Sequence, residues 1–119
     1  MKIYIAGKIS GEPRLKMQQK FFDAAEQLTA KGHEPFIPSI LPDYPDVPYD
    51  DYLHICFAMI DVCDAVYMLS DWQQSKGARQ ELQYAADTRK EIAYQDESTK
   101  EENFPILHGP WADLEKHFI

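Results

Sequence analysis

Short apolar runs alternate with helix-period stretches along this chain, and that alternation is the strongest constraint on its fold. Lys2 to Ala6 reads as a short buried strand ending at Gly7. Met17, Phe21, Ala24 or Ala25, and Leu28 then recur at spacings of three and four, the mark of a helical core stripe. Pro13 suits the first turn of that helix, with Ser10 or Gly11 leading in, and Gly32 stops it. His33 to Ile37 is a second strand, punctuated by Pro35 and closed by Pro38. A second helix is expected over Tyr49 to Val62, with Leu53, Phe57 and Ile60 on its apolar face. Ala65 to Leu69 forms a third strand, a helix runs from Ser75 to about Arg89, and Glu91 to Tyr94 forms a fourth strand.

The order βαβαβαβ calls for an α/β fold in three layers. The expected sheet is mainly parallel, four- or five-stranded, and Rossmann- or flavodoxin-like. In such folds ligands bind at the carboxyl ends of the strands. The Gly7 loop, the proline-rich loop of Pro38, Pro42, Pro45 and Pro48, and the Ser70–Ser75 loop all leave from that edge. They are therefore expected to meet at one cleft. The Asp96–Glu102 stretch is acidic and polar and reads as a solvated loop or short helix, while Pro110 and Trp111 suit a last short helix over the core.

With 119 residues the chain is expected to form one domain, with no internal repeat, and to bury a core without disulfides or metal. A net charge of −8 argues against DNA or RNA polymers as partners, but a single nucleotide needs only local donors. No apolar run approaches transmembrane length and no signal peptide is legible, so the expectation is a cytoplasmic protein with no membrane partner. Cys56 and Cys63 lie two helical turns apart, roughly 10 Å, too far for a disulfide. Buried thiols in a reducing compartment are expected. The spacing of His54, Cys56 and Cys63 fits no zinc pattern, so no metal and no cofactor are expected.

The chemistry concentrates in Ser75-Lys76-Gly77-Ala78-Arg79-Gln80-Glu81, which follows a strand and opens a helix. A helix N-terminus with small residues suits an anion, and Gly77 lets a ligand approach. A Glu about one and a half turns further in can act as nucleophile or base. The plainer alternative is a surface Glu in a helix with a Ser cap. Gly7-Lys8-Ile9-Ser10-Gly11 supplies two glycines and, in Lys8 and Ser10, phosphate donors. It is neither a P-loop nor a dinucleotide fingerprint, and a tight strand-to-helix turn explains it equally. Asp64 falls at the opposite end of the sheet, where a structural role is expected. Asp71 and Trp72 fall at the cleft edge, and Trp72 either stacks on a base or packs.

Taken together, Tyr4-Ile5-Ala6-Gly7-Lys8-Ile9-Ser10-Gly11 and Ser75-Lys76-Gly77-Ala78-Arg79-Gln80-Glu81-Leu82-Gln83-Tyr84-Ala85, joined by Cys63-Asp64-Ala65-Val66-Tyr67, resemble the nucleoside 2-deoxyribosyltransferase-like family. The resemblance runs from Lys2 to about Tyr94. It looks closest to a branch of uncharacterised small proteins related to the 2′-deoxynucleoside 5′-phosphate N-hydrolases. It implies an N-glycosidase or deoxyribosyltransferase acting on a 2′-deoxynucleoside or its 5′-monophosphate. Glu81 would be the nucleophile on C1′. Ser75, Lys8, Ser10 and the glycine loop would hold a 5′-phosphate, and Tyr4 and Trp72 would contact sugar or base. It also implies a homo-oligomer, most simply a dimer, for which Phe57, Tyr84 and Phe118 are apolar surface candidates. One departure stands out: Cys56 occupies the position at which the family carries a catalytic Asp, with Asp50, Asp51 and Asp61 the nearest acids. That departure keeps open a catalytically silent nucleotide-binding or sensor module, and a small structural partner protein is a third reading.

Overall fold

A computed structural model describes residues 1–38 and 48–101. Four strands form one sheet: β1 (Lys2–Ala6), β2 (Glu34–Phe36), β3 (Ala65–Met68) and β4 (Glu91–Tyr94). Every pairing is parallel and the spatial order is β2-β1-β3-β4. Three helices connect them: α1 (Arg14–Ala30), α2 (Tyr49–Asp61) and α3 (Lys76–Asp87). Right-handed crossovers on this order put α1 on one face and α2 and α3 on the other, giving three layers. The fold is thus the α/β arrangement expected from the alternation, with four strands among the described residues. The loop at 39–47, with Pro42 and Pro45, and the chain from 102 onward, with Pro110, Trp111 and Phe118, lie outside the described residues.

Strands covered on both faces should be largely apolar, and β3, and β1 after its exposed first residue, Lys2, are buried throughout. Ile3, Tyr4, Ile5, Ala6, Val66 and Met68 are fully buried. β2 is shorter than the five residues expected. It is an edge strand, and Pro35 within it can be tolerated only at an edge. The helix α1 buries Met17, Phe21, Ala24, Ala25 and Leu28, the stripe read from spacing. It ends at Gly32, whose φ of +86° lets the His33 amide reach back to the Leu28 carbonyl at 3.0 Å.

The inward stripe of α2 differs from the one expected. Cys56 and Ile60 are fully buried, while Leu53 and Phe57 are only half-buried. Phe57 instead faces α3, where its ring stacks on Tyr84 at 4.2 Å and 5°. Tyr84 also donates a 2.6 Å hydrogen bond to Asp61, so the two helices are joined along one side. Among the described residues, the large apolar side chains left exposed are Met1, Leu15, Phe22, Ile55 and Val62. No helix among the described residues is long and apolar enough to cross a membrane.

At the amino edge of the sheet, Asp64 has the structural role expected of it. Its carboxylate accepts from the Lys2 amide at 2.9 Å and its own amide donates to the Lys2 carbonyl at 2.8 Å. At the carboxyl edge, the Leu69 amide donates to the Ala6 carbonyl at 2.8 Å and closes β1 against β3. The approach is tight: a Cβ on Gly7 would lie 2.7 Å from Leu69 Cδ1 and 3.0 Å from its Cβ. Gly7 is therefore required by the sheet itself. This is the point at which the chain crosses from one face to the other, where doubly wound folds leave a crevice.

Candidate functional site

A cavity of about 290 Å³ opens at that crevice, near the lower size limit of small-molecule sites. One wall is the β1–α1 loop, contributing Gly7, Lys8, Ile9 and Ser10; the other is the start of α3, contributing Gln74, Ser75, Lys76 and Gly77. Tyr52 of α2 and Glu81 of α3 complete the lining. Two of the three loops expected to converge do so, and the third lies in the undescribed stretch.

The β1–α1 loop is fixed by ion pairing. The Lys8 amide donates to Asp71 Oδ1 at 3.0 Å. Lys20 Nζ then donates to Asp71 Oδ2 at 2.6 Å and to the Lys8 carbonyl at 2.7 Å, with Glu12 at 3.7 Å. Asp71 thus braces one cavity wall against the other. Gly11 is exposed, has a φ of +80° and does not line the cavity; its part is to turn the chain into α1.

The opening of α3 is built as expected. Ser75 is its N-cap, extended at φ −116° and ψ 119°, and its Oγ accepts from the Ala78 amide at 3.1 Å. The first turn contains no acid and carries Lys76 and Arg79. Ser75 takes the Ala78 amide on its hydroxyl and the Arg79 amide on its carbonyl at 3.0 Å, and the turn lies beside the cavity. A short 3₁₀ turn, Trp72–Gln74, delivers the chain to this cap. Trp72 itself is buried at 4% exposure, with Nε1 donating to Thr99 Oγ1 at 2.9 Å and its ring tilted on Tyr94 at 5.9 Å. Of its two readings, packing is the one the geometry matches: Trp72 does not line the cavity.

Glu81 is the decisive side chain. At 4% exposure it is not the surface residue of the plainer reading, yet it lines the cavity. Its Oε2 is buried without a hydrogen-bond partner. Burial pushes its carboxyl up to about 8, against which the nearby Tyr4 hydroxyl pulls down. Tyr4, expected to touch sugar or base, is fully buried and does not line the cavity, and its own Oη lacks a well-formed hydrogen bond. Burial first, and then the charges of Glu81 and Cys56, hold the Tyr4 phenol well above 10. Cys56 sits in the same cluster, its thiol pushed up to about 12 by burial and by Glu81, with Tyr4 and Tyr52 pulling the other way. Cys56 and Cys63 are both buried and unlinked.

Glu81 is the one carboxylate lining the cavity among the described residues. Asp50 and Asp51 are exposed on the first turn of α2, and the Asp61 carboxylate is engaged by Tyr84, its backbone carbonyl by Lys90. No group of three or more potential metal ligands occurs among the described residues. Tyr52, Gln74, Ile9 and Lys76 were not anticipated as lining residues. The signal for Tyr52 was available: it is one turn before Cys56, so the two share a face of α2.

A solved structure similar in fold is a 2-deoxyribosyltransferase from the psychrotolerant bacterium Bacillus psychrosaccharolyticus. It matches with a TM-score of 0.65 and 19% identity, over 97% of this chain and 90% of that one. At that identity the likeness is one of fold. No curated protein matches the chain. Residues 1–94 match the family described as a domain of unknown function, DUF4406, and the chain belongs to that family.

Proposed function

We propose that the chain is an N-glycosidase or deoxyribosyltransferase acting on a 2′-deoxynucleoside 5′-monophosphate, with Glu81 as nucleophile. The observation that carries this reading is a buried carboxyl, its Oε2 without a hydrogen bond, lining a cavity whose rim is a helix N-terminus. From the Gly77 amide to the Glu81 Cα is about 6 Å along the helix axis, and the Glu side chain leans back toward the rim. That span suits the distance from a 5′-phosphate to the anomeric carbon. The phosphate would accept from the Gly77 amide, the Ser75 hydroxyl, Lys8 and Ser10.

Glu81 Oε would attack C1′ and form a glycosyl ester as the C1′–N bond breaks and its electron pair leaves with the base. Water, or the nitrogen of a second base, would then displace the carboxylate from C1′. The attacking form is the ionised carboxylate, so turnover would rise with pH toward about 8. Related enzymes of the resembled family suggest a homo-oligomer. Phe57 and Tyr84 are spent on each other, which leaves Leu15, Phe22, Ile55 and Val62 as the described side chains for such a contact.

A second reading, a nucleotide-binding or sensor module without turnover, is favoured by one observation: a thiol held at about 12 stands beside Glu81. Incubating the protein with a panel of deoxynucleosides and their monophosphates separates the two. Free base detected by chromatography supports the enzyme. Tight binding of the monophosphates without free base supports the module, and equal affinity for nucleoside and nucleotide removes the phosphate site.

A further inference from the structure

One residue lining the cavity is gripped at both ends of its backbone by side chains that do not line it. Lys8 donates its amide to Asp71 Oδ1 at 3.0 Å, and its carbonyl accepts from Lys20 Nζ at 2.7 Å. The two grips are themselves joined, because Lys20 Nζ also donates to Asp71 Oδ2 at 2.6 Å. This closed ring of bonds ties together the loop after β1, the loop after β3 and the helix α1. A residue has only two soft backbone dihedrals, and fixing its N and its O leaves them little freedom. The Lys8 Cα–Cβ bond is therefore held in one direction. The residues before it are fixed as well, by the Leu69 amide on the Ala6 carbonyl at 2.8 Å and by the close approach of Gly7 to the Leu69 side chain. None of the bonds in the ring uses the Lys8 ammonium, so the clamp makes no claim on that cation.

Charge sets Lys20 apart from the rest of the ring. Its ammonium stands between two carboxylates, 2.6 Å from Asp71 and 3.7 Å from Glu12. The three side chains are 24%, 19% and 20% exposed, so water and salt screen them less than they would an open surface pair. Without Lys20, two negative charges would stand uncompensated behind the wall, and the Lys8 carbonyl would lose its donor. Both changes oppose an anion at that wall, the first by repulsion and the second by releasing Lys8.

We propose that Lys20 is the positioning residue for the anionic end of the ligand. Through the Asp71 clamp it holds Lys8 in place, and it neutralises the carboxylates behind that wall. This inference rests on the phosphate site of the reading above and deepens it. Lys20 does not line the cavity, so it acts through Lys8 rather than by touching the ligand. Its removal therefore weakens binding of the 5′-phosphate and leaves binding of the nucleoside part as it was.

The test is a calorimetric titration of the full chain with the four common 2′-deoxynucleoside 5′-monophosphates and the four corresponding nucleosides. Lys20→Met is expected to weaken the monophosphates that the wild type binds by at least about tenfold, and the nucleosides by less than about twofold. Lys20→Arg, whose guanidinium can reach a carboxylate and a carbonyl together, is expected to recover most of that loss. A thermal melt checks that each variant is folded. Should Lys20→Met not fold, Asp71→Asn takes its place: it keeps an oxygen for the Lys8 amide but removes the charge that holds Lys20, and a loss confined to the monophosphates is again expected. Unchanged monophosphate affinity in the folded variant, or an equal loss for nucleotide and nucleoside, overturns the inference. A wild type that binds both kinds of ligand alike, or neither, overturns it together with the phosphate site. Base release, followed by chromatography in the same wild-type samples, judges the glycosidase reading separately. A loss confined to the monophosphates in a protein that releases no base keeps the role of Lys20 and sinks the glycosidase.

Discussion

The two helices that wall the cavity on the same face of the sheet have opposite characters. α3 brings the charge and hydrogen-bonding chemistry: the Ser75 cap, an acid-free first turn and Glu81. α2 brings Tyr52 to the lining and, buried outside it, Cys56 and Ile60, a thiol and a hydrocarbon. One holds the proposed nucleophile; the other covers it. That enclosure, rather than a neighbouring charge, is the largest cause of the raised Glu81 carboxyl. The contrast can be attacked from either side.

The largest effect is expected at Glu81. Glu81→Gln keeps the shape of the side chain but has no charge with which to attack C1′, and turnover should fall on the order of 10³-fold or more. Stability should move the other way. The folded chain holds the Glu81 proton up to about pH 8, whereas an unfolded chain releases it near 4.5. Folding therefore takes up a proton between those values, and this group's contribution to stability declines as pH rises from about 4.5 to 8. Glu81→Gln removes that decline. Melting both proteins from pH 5 to pH 8 should show the variant gaining on the wild type, by a few kcal/mol at the upper end. A difference that stays flat with pH would mean that Glu81 is already ionised in the folded chain.

The α2 wall is tested by Cys56→Asp, which places a carboxyl beside Glu81. Two carboxyls in one dry site cannot both ionise, so one would keep its proton and serve as the acid a neutral base requires. Release of base from neutral deoxynucleotides should rise by about 10²-fold, while the melting temperature falls above neutral pH. An unchanged rate in a folded variant would show that the acid comes from elsewhere or is not needed.

The α3 opening is tested by Ser75→Ala. Loss of the bond to the Ala78 amide should cost about 1 kcal/mol of stability. If the hydroxyl also donates to a 5′-phosphate, monophosphate affinity should fall about tenfold, with bare nucleosides unaffected. A loss of stability alone would confine Ser75 to capping.

These two walls were not equally legible in the sequence. Strand and helix order, the α1 stripe, the Gly32 stop and the Ser75 opening all follow from local chemistry, and each was readable from spacing. The face of α2 was not. Its period allows Phe57 to point inward, and only the neighbouring α3, with Tyr84 in reach, draws that ring sideways and leaves Cys56 to face the sheet. The same limit applies to Glu81. Its place in the helix was clear from sequence, but its burial depends on α2 crossing above it, which is long-range information. For Trp72, the choice between base and core was decided by a partner 27 residues later, Thr99.

The smallest effect is expected where the two walls meet. Tyr84 spans α2 and α3 by stacking on Phe57 and by its 2.6 Å bond to Asp61, an exposed contact at the far end of α2. Tyr84→Phe keeps the stack and deletes the bond. Exposed hydrogen bonds to carboxylates are screened by water, so stability should fall by less than about 1 kcal/mol in a thermal melt. The informative measurement is the pH profile of turnover or ligand binding in this variant. If α2 merely covers Glu81, a bond on the outer side of the helix pair should leave the midpoint where it is. A shifted midpoint would mean that the spacing of the two helices tunes the Glu81 carboxyl. The division into a reactive wall and a passive cover would then give way to one coupled unit.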